Sequence, residues 1–238
     1  MNIKIIPNPR KDWAKQLVSE VESLLVERGH KIVRKGADIT ICIGGDGTIL
    51  YAHHKGRLEG KIIGIGSKTS YVCQLVNDSW ENSLIQLIEH GVTVPIMSIE
   101  ASISGKTFKS LNDFVVHTNN YRIIKLEVSM KNTNTLFSGD GVIISTSLGS
   151  PAYAYSAGGV AFQPTERKIG VVPICPYKRI LSPTVLSEDD LIEIKSLGDC
   201  AFIVDGIFGC HIKKGEVIKI KKANNILFFE GVGNYKQG

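Results

Sequence analysis

Asp46 is the one carboxylate in a turn otherwise built from Gly44, Gly45, Gly47 and Thr48. Residues without Cβ let the backbone approach a ligand closely, and the peptide N–H groups that open a helix favour an anion such as phosphate. The chemistry on offer is therefore phosphate binding with a single acidic group at hand. A plainer use of the same residues is a helix cap supplied by Asp46 or Thr48. Further along, Asn112 and Asp113 are short acceptors of the kind that hold a ribose hydroxyl, or else a polar turn before a strand. Asp140-Gly141 and Asp205-Gly206 are acidic pairs that also match a preferred two-residue hairpin turn. Ser138 to Gly159, SGDGVIISTSLGSPAYAYSAGG, reads as a strand, a turn at Gly149, Ser150 as N-cap, Pro151 at the first helical position and a terminating glycine pair. So short a helix buries little, which suggests a ligand-facing element; a simple crossover between sheets is the other reading.

The elements that must position these residues fall into two textures. Strands are expected at Ile3 to Ile6, Lys31 to Arg34, Ile39 to Ile43 and Lys61 to Ile65, and helices at Asp12 to Arg28, Thr48 to about Leu58 and Trp80 to His90. Asn77, Asp78 and Ser79 offer caps for the last helix. This alternation predicts a Rossmann-like α/β domain with a parallel sheet over residues 1–93. After Gly91 come short β-rich runs: Val92 to Ile103, Thr107 to Lys109, Phe114 to Thr118, Ile123 to Met130, Val142 to Thr146, Leu191 to Ser196, Ala201 to Val204, Phe208 to Ile212, Val217 to Ile220 and Ile226 to Phe229. They predict an all-β domain of sandwich or barrel type over 94–222, followed by a segment 223–238.

Composition narrows the partners. The 238 residues carry a formal net charge of +5 from 28 basic and 23 acidic side chains. The basic residues are scattered, apart from Lys213, Lys214, Lys219, Lys221 and Lys222, which argues against nucleic acid as the main partner. The same excess suits a protein that handles polyanionic nucleotides. Cys42, Cys73, Cys175, Cys200 and Cys210 are odd in number, never spaced as CxxC, and mostly in apolar runs, so buried thiols in a reducing cytoplasm are expected. The first residues lack a signal-peptide core, and no apolar run approaches the roughly 18 residues of a membrane span. His53 and His54 are adjacent, point different ways on a helix and are expected to be exposed; no metal site is predicted there.

Taken together, GGDGT after a strand, LNDFVV at Leu111 to Val116, DGVIIST, GSPAYAYSAGG and a late Asp205-Gly206 resemble the NAD kinase family. GGDGT alone is shared with diacylglycerol and sphingosine kinases, whereas the second stretch is more specific. The resemblance implies an α/β domain plus a β domain, the final segment returning to the first, and transfer of the γ-phosphoryl group of ATP to the adenosine 2′-hydroxyl of NAD. It implies Asp46 as the group that activates the hydroxyl, Gly44, Gly45, Gly47 and Thr48 as the phosphate loop, and Mg²⁺ as the divalent cation. Asn112, Asp113, Asp140, Ala152, Tyr153 and Ser156 match positions lining the pyridine nucleotide site, with Asp205 near it. It also implies a homodimer or homotetramer, because a neighbouring subunit can complete that site.

The chain departs from the family pattern in three places. Where the family shows GxNxGxxGFL, Gly64 to Leu75 reads GIGSKTSYVCQL, with Gly66 for Asn, Lys68 and Tyr71 for glycines and Val72 for Phe. TPTGSTAY becomes TSLGSPAY, so Leu148 and Pro151 remove two hydroxyls. PHSLxxRP becomes PYKRILSP, with Tyr177 for His and Ser182 for Arg; Lys178 and Arg179 either replace the charge or are solvated surface. Two other functions keep GGDGT: a related kinase for a lipid or small-molecule hydroxyl, and a non-catalytic nucleotide-binding module. The Asn112-Asp113 pair and the Tyr153 helix favour NAD over the first, whereas the departures at Gly66 to Val72 leave room for the second, and formation of NADP from ATP and NAD discriminates them.

Overall fold

The computed structural model describes residues 1–120 and 122–233. They form two compact units, 1–96 together with the chain from Ile226 onward, and 97–225.

In the first unit, β1 (Asn2–Pro7), β2 (Lys31–Ile32), β3 (Ile39–Ile43), β4 (Lys61–Gly66) and β5 (Leu75–Val76) pair in parallel, while β6 (Thr93–Ile96) lies at an edge. Helix α1 (Asp12–Glu27) buries Ala14, Leu17, Val21 and Leu25, three to four residues apart, as one apolar stripe. Gly29 at φ +77° ends it, with His30 N–H bonded to the Leu25 carbonyl and Gly29 N–H to that of Val26. Helix α2 (Asp46–His54) is shorter than the predicted run to Leu58. Gly56, at φ +60°, takes the left-handed position, and Arg57 N–H closes on the Ala52 carbonyl. Helix α3 spans Glu81–His90, and no side chain among Asn77, Asp78 and Ser79 caps it. Isoleucine is the commonest residue of these strands, and all five residues of β3 are buried, so both of its faces are covered as a parallel sheet requires.

The second unit holds two six-stranded antiparallel sheets. In chain order its strands are β7 (Ile99–Ile103), β8 (Lys106–Ser110), β9 (Asp113–Thr118), β10 (Ile124–Met130), β11 (Thr133–Gly139), β12 (Gly141–Ser145), β13 (Lys168–Ile174), β14 (Thr184–Ser187), β15 (Ile192–Ser196), β16 (Cys200–Val204), β17 (Ile207–Ile212) and β18 (Val217–Lys222). One sheet runs β11-β10-β15-β18-β7-β8 and the other β14-β13-β12-β9-β16-β17. Alternate residues of both, among them Leu126, Val128, Phe114, Phe202 and Ile218, build one shared core, which is sandwich architecture. The last strand, β19 (Ile226–Phe229), lies in the sheet of the first unit, parallel to β4 and antiparallel to β6.

Several expectations need correction. The run Val92 to Ile103 is not one strand: β6 belongs to the first unit and β7 to the second, so the division falls after Ile96 rather than at 93, and again before Ile226 rather than at 223. Strand Lys31 to Arg34 shrinks to two residues. Strands β5, β11, β13 and β14 were not expected. Residues Thr133–Gly139 are too polar to stand out, and Gly170 and Pro173 punctuate β13, although Pro173 sits beyond the part that β14 covers. Cys175 is exposed and Cys210 half-buried, against the expectation of buried thiols, while Cys42, Cys73 and Cys200 are buried. His53 and His54 are half-buried rather than exposed. Within the basic cluster, Lys219, Lys221 and Lys222 pair with Glu193, Glu100 and Glu188. Among the described residues no helix is long and apolar enough to cross a membrane.

Candidate active site

The glycine turn sits where the parallel sheet changes direction. In the order β2-β1-β3-β4, the connection through α1 runs one way and that through α2 the other, so the loops after β1 and β3 splay apart into a crevice at the carboxyl ends of the strands. Gly44 and Gly45 hold φ of +142° and +100°. A Cβ on Gly44 would lie 2.4 Å from Asn8 Cβ and 2.6 Å from Thr48 Oγ1, so only glycine fits. Asn8 donates through Nδ2 to Thr48 Oγ1 at 3.2 Å, tying the two loops together.

Asp46 opens α2 but does not cap it, and Thr48 makes no cap bond either. The Asp46 carboxylate turns to the loop after β4. Oδ2 accepts from Tyr71 N–H at 2.7 Å, and Oδ1 from Val72 N–H at 2.9 Å and Cys73 N–H at 3.2 Å. That leaves an open lone pair on Oδ2. The loop it holds is the segment that departs from the family pattern. A Cβ on Gly66 would fall 2.3 Å from Ser70 Oγ and 2.8 Å from Cys73 Sγ, so an Asn there has no room unless Ser70 and Cys73 yield.

In the β unit, Asp205-Gly206 is the two-residue turn joining β16 and β17, with φ of +48° and +76°. Its carboxylate is nevertheless the anchor of another loop. Oδ1 accepts from the Ser110 hydroxyl at 2.6 Å, Asn112 N–H at 2.7 Å and Asp113 N–H at 3.2 Å, and Oδ2 from Leu111 N–H at 3.2 Å. The hairpin reading of Asp205 thus holds, and its side chain at the same time braces the segment that carries Asn112 and Asp113. Thr146 N–H bonds the Asn112 carbonyl at 2.8 Å, and a Cβ on Gly149 would lie 2.2 Å from that same oxygen, so the turn after β12 is pressed against Asn112. Asn112 Oδ1 is buried without a partner among the described residues. Asp113 is only 6% exposed. Burial, and then the Asp205 charge, push its carboxyl up to about 7.

Asp140-Gly141 is no hairpin: the chain passes there from β11 in one sheet to β12 in the other. The expected helix is instead a π-type turn, Ser150–Ala154, with Ala152 at φ −90° and ψ −116°. Gly149, not Ser150, precedes it; the Ser150 hydroxyl donates to the Ser147 carbonyl and accepts Phe162 N–H, both at 2.8 Å. Ala152, Tyr153 and Ser156 are exposed on this turn, and the Ser156 hydroxyl donates to the Ala152 carbonyl. Partial burial, and then the charges of Cys175, Asp113 and Asp140, raise the Tyr153 phenol above its usual value. Lys178 and Arg179 stand exposed on a turn where both hold positive φ. No residue type announces the three amides that hold Asp46 or the anchoring role of Asp205, since most of the donors are backbone groups.

A model of the ATP-NAD kinase C-terminal domain matches residues 111–229. An NAD kinase of Thermoplasma acidophilum is 30% identical over 224 residues, covering 90% of this chain and 81% of the relative. One of Thermoplasma volcanium is 31% identical over 243 residues, covering 97% and 87%. Among solved structures, an NAD kinase from Archaeoglobus fulgidus in complex with ATP has a TM-score of 0.83 at 22% identity, covering 97% of this chain and 94% of that one. Yeast NADH kinase complexed with NADH has a TM-score of 0.88 at 18% identity, covering 99% and 84%. These likenesses support the same two-unit fold, and the sequence relationship extends over both units: this chain belongs to the NAD kinase family.

Proposed function

We propose that the chain transfers the γ-phosphoryl group of ATP to the adenosine 2′-hydroxyl of NAD, giving NADP and ADP. The observation that carries this is the loop Leu111 to Asp113, drawn tight by Asp205 with the Asn112 carboxamide oxygen left unpartnered. A buried acceptor without a partner costs stability, and a nucleotide donor there repays it. A lipid kinase has no use for that arrangement, and a purely regulatory module has no use for the open lone pair of Asp46.

In this reading Gly44, Gly45, Gly47 and Thr48 hold donor phosphates. Asn112, Asp113, Asp140, Ala152, Tyr153 and Ser156 hold the acceptor, and Asp205 acts by positioning Asn112 and Asp113. Asp46 accepts the hydroxyl proton at Oδ2 as the ribose oxygen bonds to the γ-phosphorus and the bond to the bridging oxygen breaks. Mg²⁺ suits this donor set as an ion carried largely by phosphate and water, with Asp46 as the loop's one carboxylate. Among the described residues no three His, Cys, Asp or Glu converge into a protein cage. When bound, the ion neutralises phosphate charge.

The reading includes a cytoplasmic location, supported by the buried thiols of Cys42 and Cys200, and a homodimer or homotetramer, supported by the exposed Leu136, Tyr155, Val185 and Phe208 of the β unit. The test is purified protein with ATP, Mg²⁺ and NAD, scored for NADP. Turnover of a lipid or sugar hydroxyl with NAD untouched would refute the assignment.

A further inference from the structure

The family loop GGDGT contains no cation, yet it must hold a polyphosphate. The loop after β1 supplies one. Lys11, at the start of α1, donates through Nζ to the Gly44 carbonyl at 2.6 Å. That bond uses one of its three N–H donors, and Lys11 takes part in none of the ion pairs among the described residues, unlike Lys15 beside Asp12. On the other wall of the crevice stands Ser70, 6% exposed, whose hydroxyl makes no hydrogen bond within the described chain. The two converge on one point. A Cβ built on Gly45 would lie 3.3 Å from Ser70 Oγ and 3.6 Å from Lys11 Nζ. The missing Cβ leaves a pocket walled by an ammonium and an unpartnered hydroxyl, beside the first amides of α2.

We propose that Lys11 and Ser70 form a clamp on the terminal phosphates of the donor nucleotide, closing over Gly45. Ser70 belongs to the segment Gly64 to Leu75 that departs from the family pattern. Gly66 permits it, because any side chain there would displace the Ser70 hydroxyl. Three features act on the same anion: the charge of Lys11, the hydroxyl donor of Ser70 and the amides at the start of α2. Lys11 Nζ also stands 5.6 Å from the Trp13 ring centroid, so Trp13 fluorescence should report on it.

This inference rests on the donor-site reading above, and its test separates the two. ADP, AMP and adenosine are titrated against wild type, Lys11→Met, Lys11→Arg, Ser70→Ala and the double variant, by calorimetry and by Trp13 fluorescence, with melting temperatures in parallel. The expected result is a loss of ADP affinity of about 10- to 100-fold in Lys11→Met and about 3- to 10-fold in Ser70→Ala. AMP and adenosine should be little affected, most of the loss should return in Lys11→Arg, and KM for ATP should rise without a change in KM for NAD. ADP affinity within twofold of wild type in Lys11→Met overturns the clamp. So does a parallel loss for ADP and adenosine together with a fallen melting temperature, which would make Lys11 only a tether for the turn. A wild-type protein that binds ADP but makes no NADP refutes the NAD kinase activity instead, and the clamp is then judged by the ADP titrations alone.

Discussion

Asp46 gives both carboxylate oxygens to the backbone of Tyr71 to Cys73, and this decides what Asp46→Asn does. Whichever way the amide is placed, its Nδ2 meets a backbone N–H, so Asn is not the silent isostere that a capping role would allow. The variant should lose about 10² to 10⁴ in kcat from the missing base. It should also lose about 1 to 3 kcal/mol of stability from the unpaired donors, seen as a lower melting temperature. A variant with unchanged melting temperature and near-normal kcat would remove Asp46 from both roles. Asp113 titrates in the opposite sense to an ordinary paired carboxylate, because burial and Asp205 raise it to about 7. Below pH about 4 the folded and unfolded chains both hold this proton, and its contribution is fully present. As pH rises towards 7 the unfolded chain releases it first, so stability falls across that window and levels off above it. The shift of about three pH units corresponds to on the order of 4 kcal/mol. Asp113→Asn should flatten this part of the profile. Equal slopes for variant and wild type between pH 4 and 8 would refute the prediction. At this scale the sequence singles out Asp46, Asp113 and Asp205 as candidates but not the groups that hold them, since a backbone N–H is carried by any residue type.

At the level of elements, the loop Leu111 to Asp113 and the turn after β12 are held against each other without a side chain between them. A Cβ on Gly149 would meet the backbone of Asn112, both carbonyl oxygen and carbon, at 2.2 and 2.5 Å. Gly149→Ala must therefore push the two apart and break the bond from Thr146 N–H to the Asn112 carbonyl. KM for NAD should rise at least tenfold while the affinity for ADP stays within twofold, because Gly149 lies in the β unit and the glycine turn in the other. An equal loss for both nucleotides would show a general destabilisation instead. Helix α1 and strands β3 and β4 were legible because their apolar spacing matches one period throughout. The Ser150 turn was placed correctly and given the wrong geometry. Ser150 spends its hydroxyl on Ser147 and Phe162, and the carbonyl of Ala152 serves Ser156, so side-chain bonds decide the winding there rather than helix propensity. Strand β11 escaped notice for a different reason: its sequence TNTLFSG is mostly polar, its one leucine is exposed, and its register is set by pairing with β10.

For the molecule as a whole, the consequential feature is that the α/β unit is not continuous in sequence. Its sheet is completed by β19, which sits between β4 and β6 and carries Phe228 and Phe229 into the core at 0% and 1% exposure. The apolar run Ile226 to Phe229 was readable as a strand, but nothing local says which sheet it joins; that is set by pairing with Ile62 and with Thr93–Ile96, far away in the chain. Removing everything after Asn225 exposes two inner strand edges and empties two phenylalanine sites. Losing a buried Phe costs about 3 to 5 kcal/mol, so two together are comparable to the whole of a domain's stability, about 5 to 15 kcal/mol. A chain ending at Asn225 should therefore lose the cooperative unfolding of its α/β unit and its affinity for ADP, although every residue of the glycine turn is still present. Phe228→Ala alone should show the same direction in milder form, a melting temperature lowered by roughly 2 to 4 °C per kcal/mol with ADP still bound. Near-UV circular dichroism and ADP calorimetry on the two variants make the comparison. If the shortened chain melts cooperatively at the wild-type temperature and binds ADP normally, β19 is an ornament of the sheet and the phosphate site stands on β1, β3 and β4 alone.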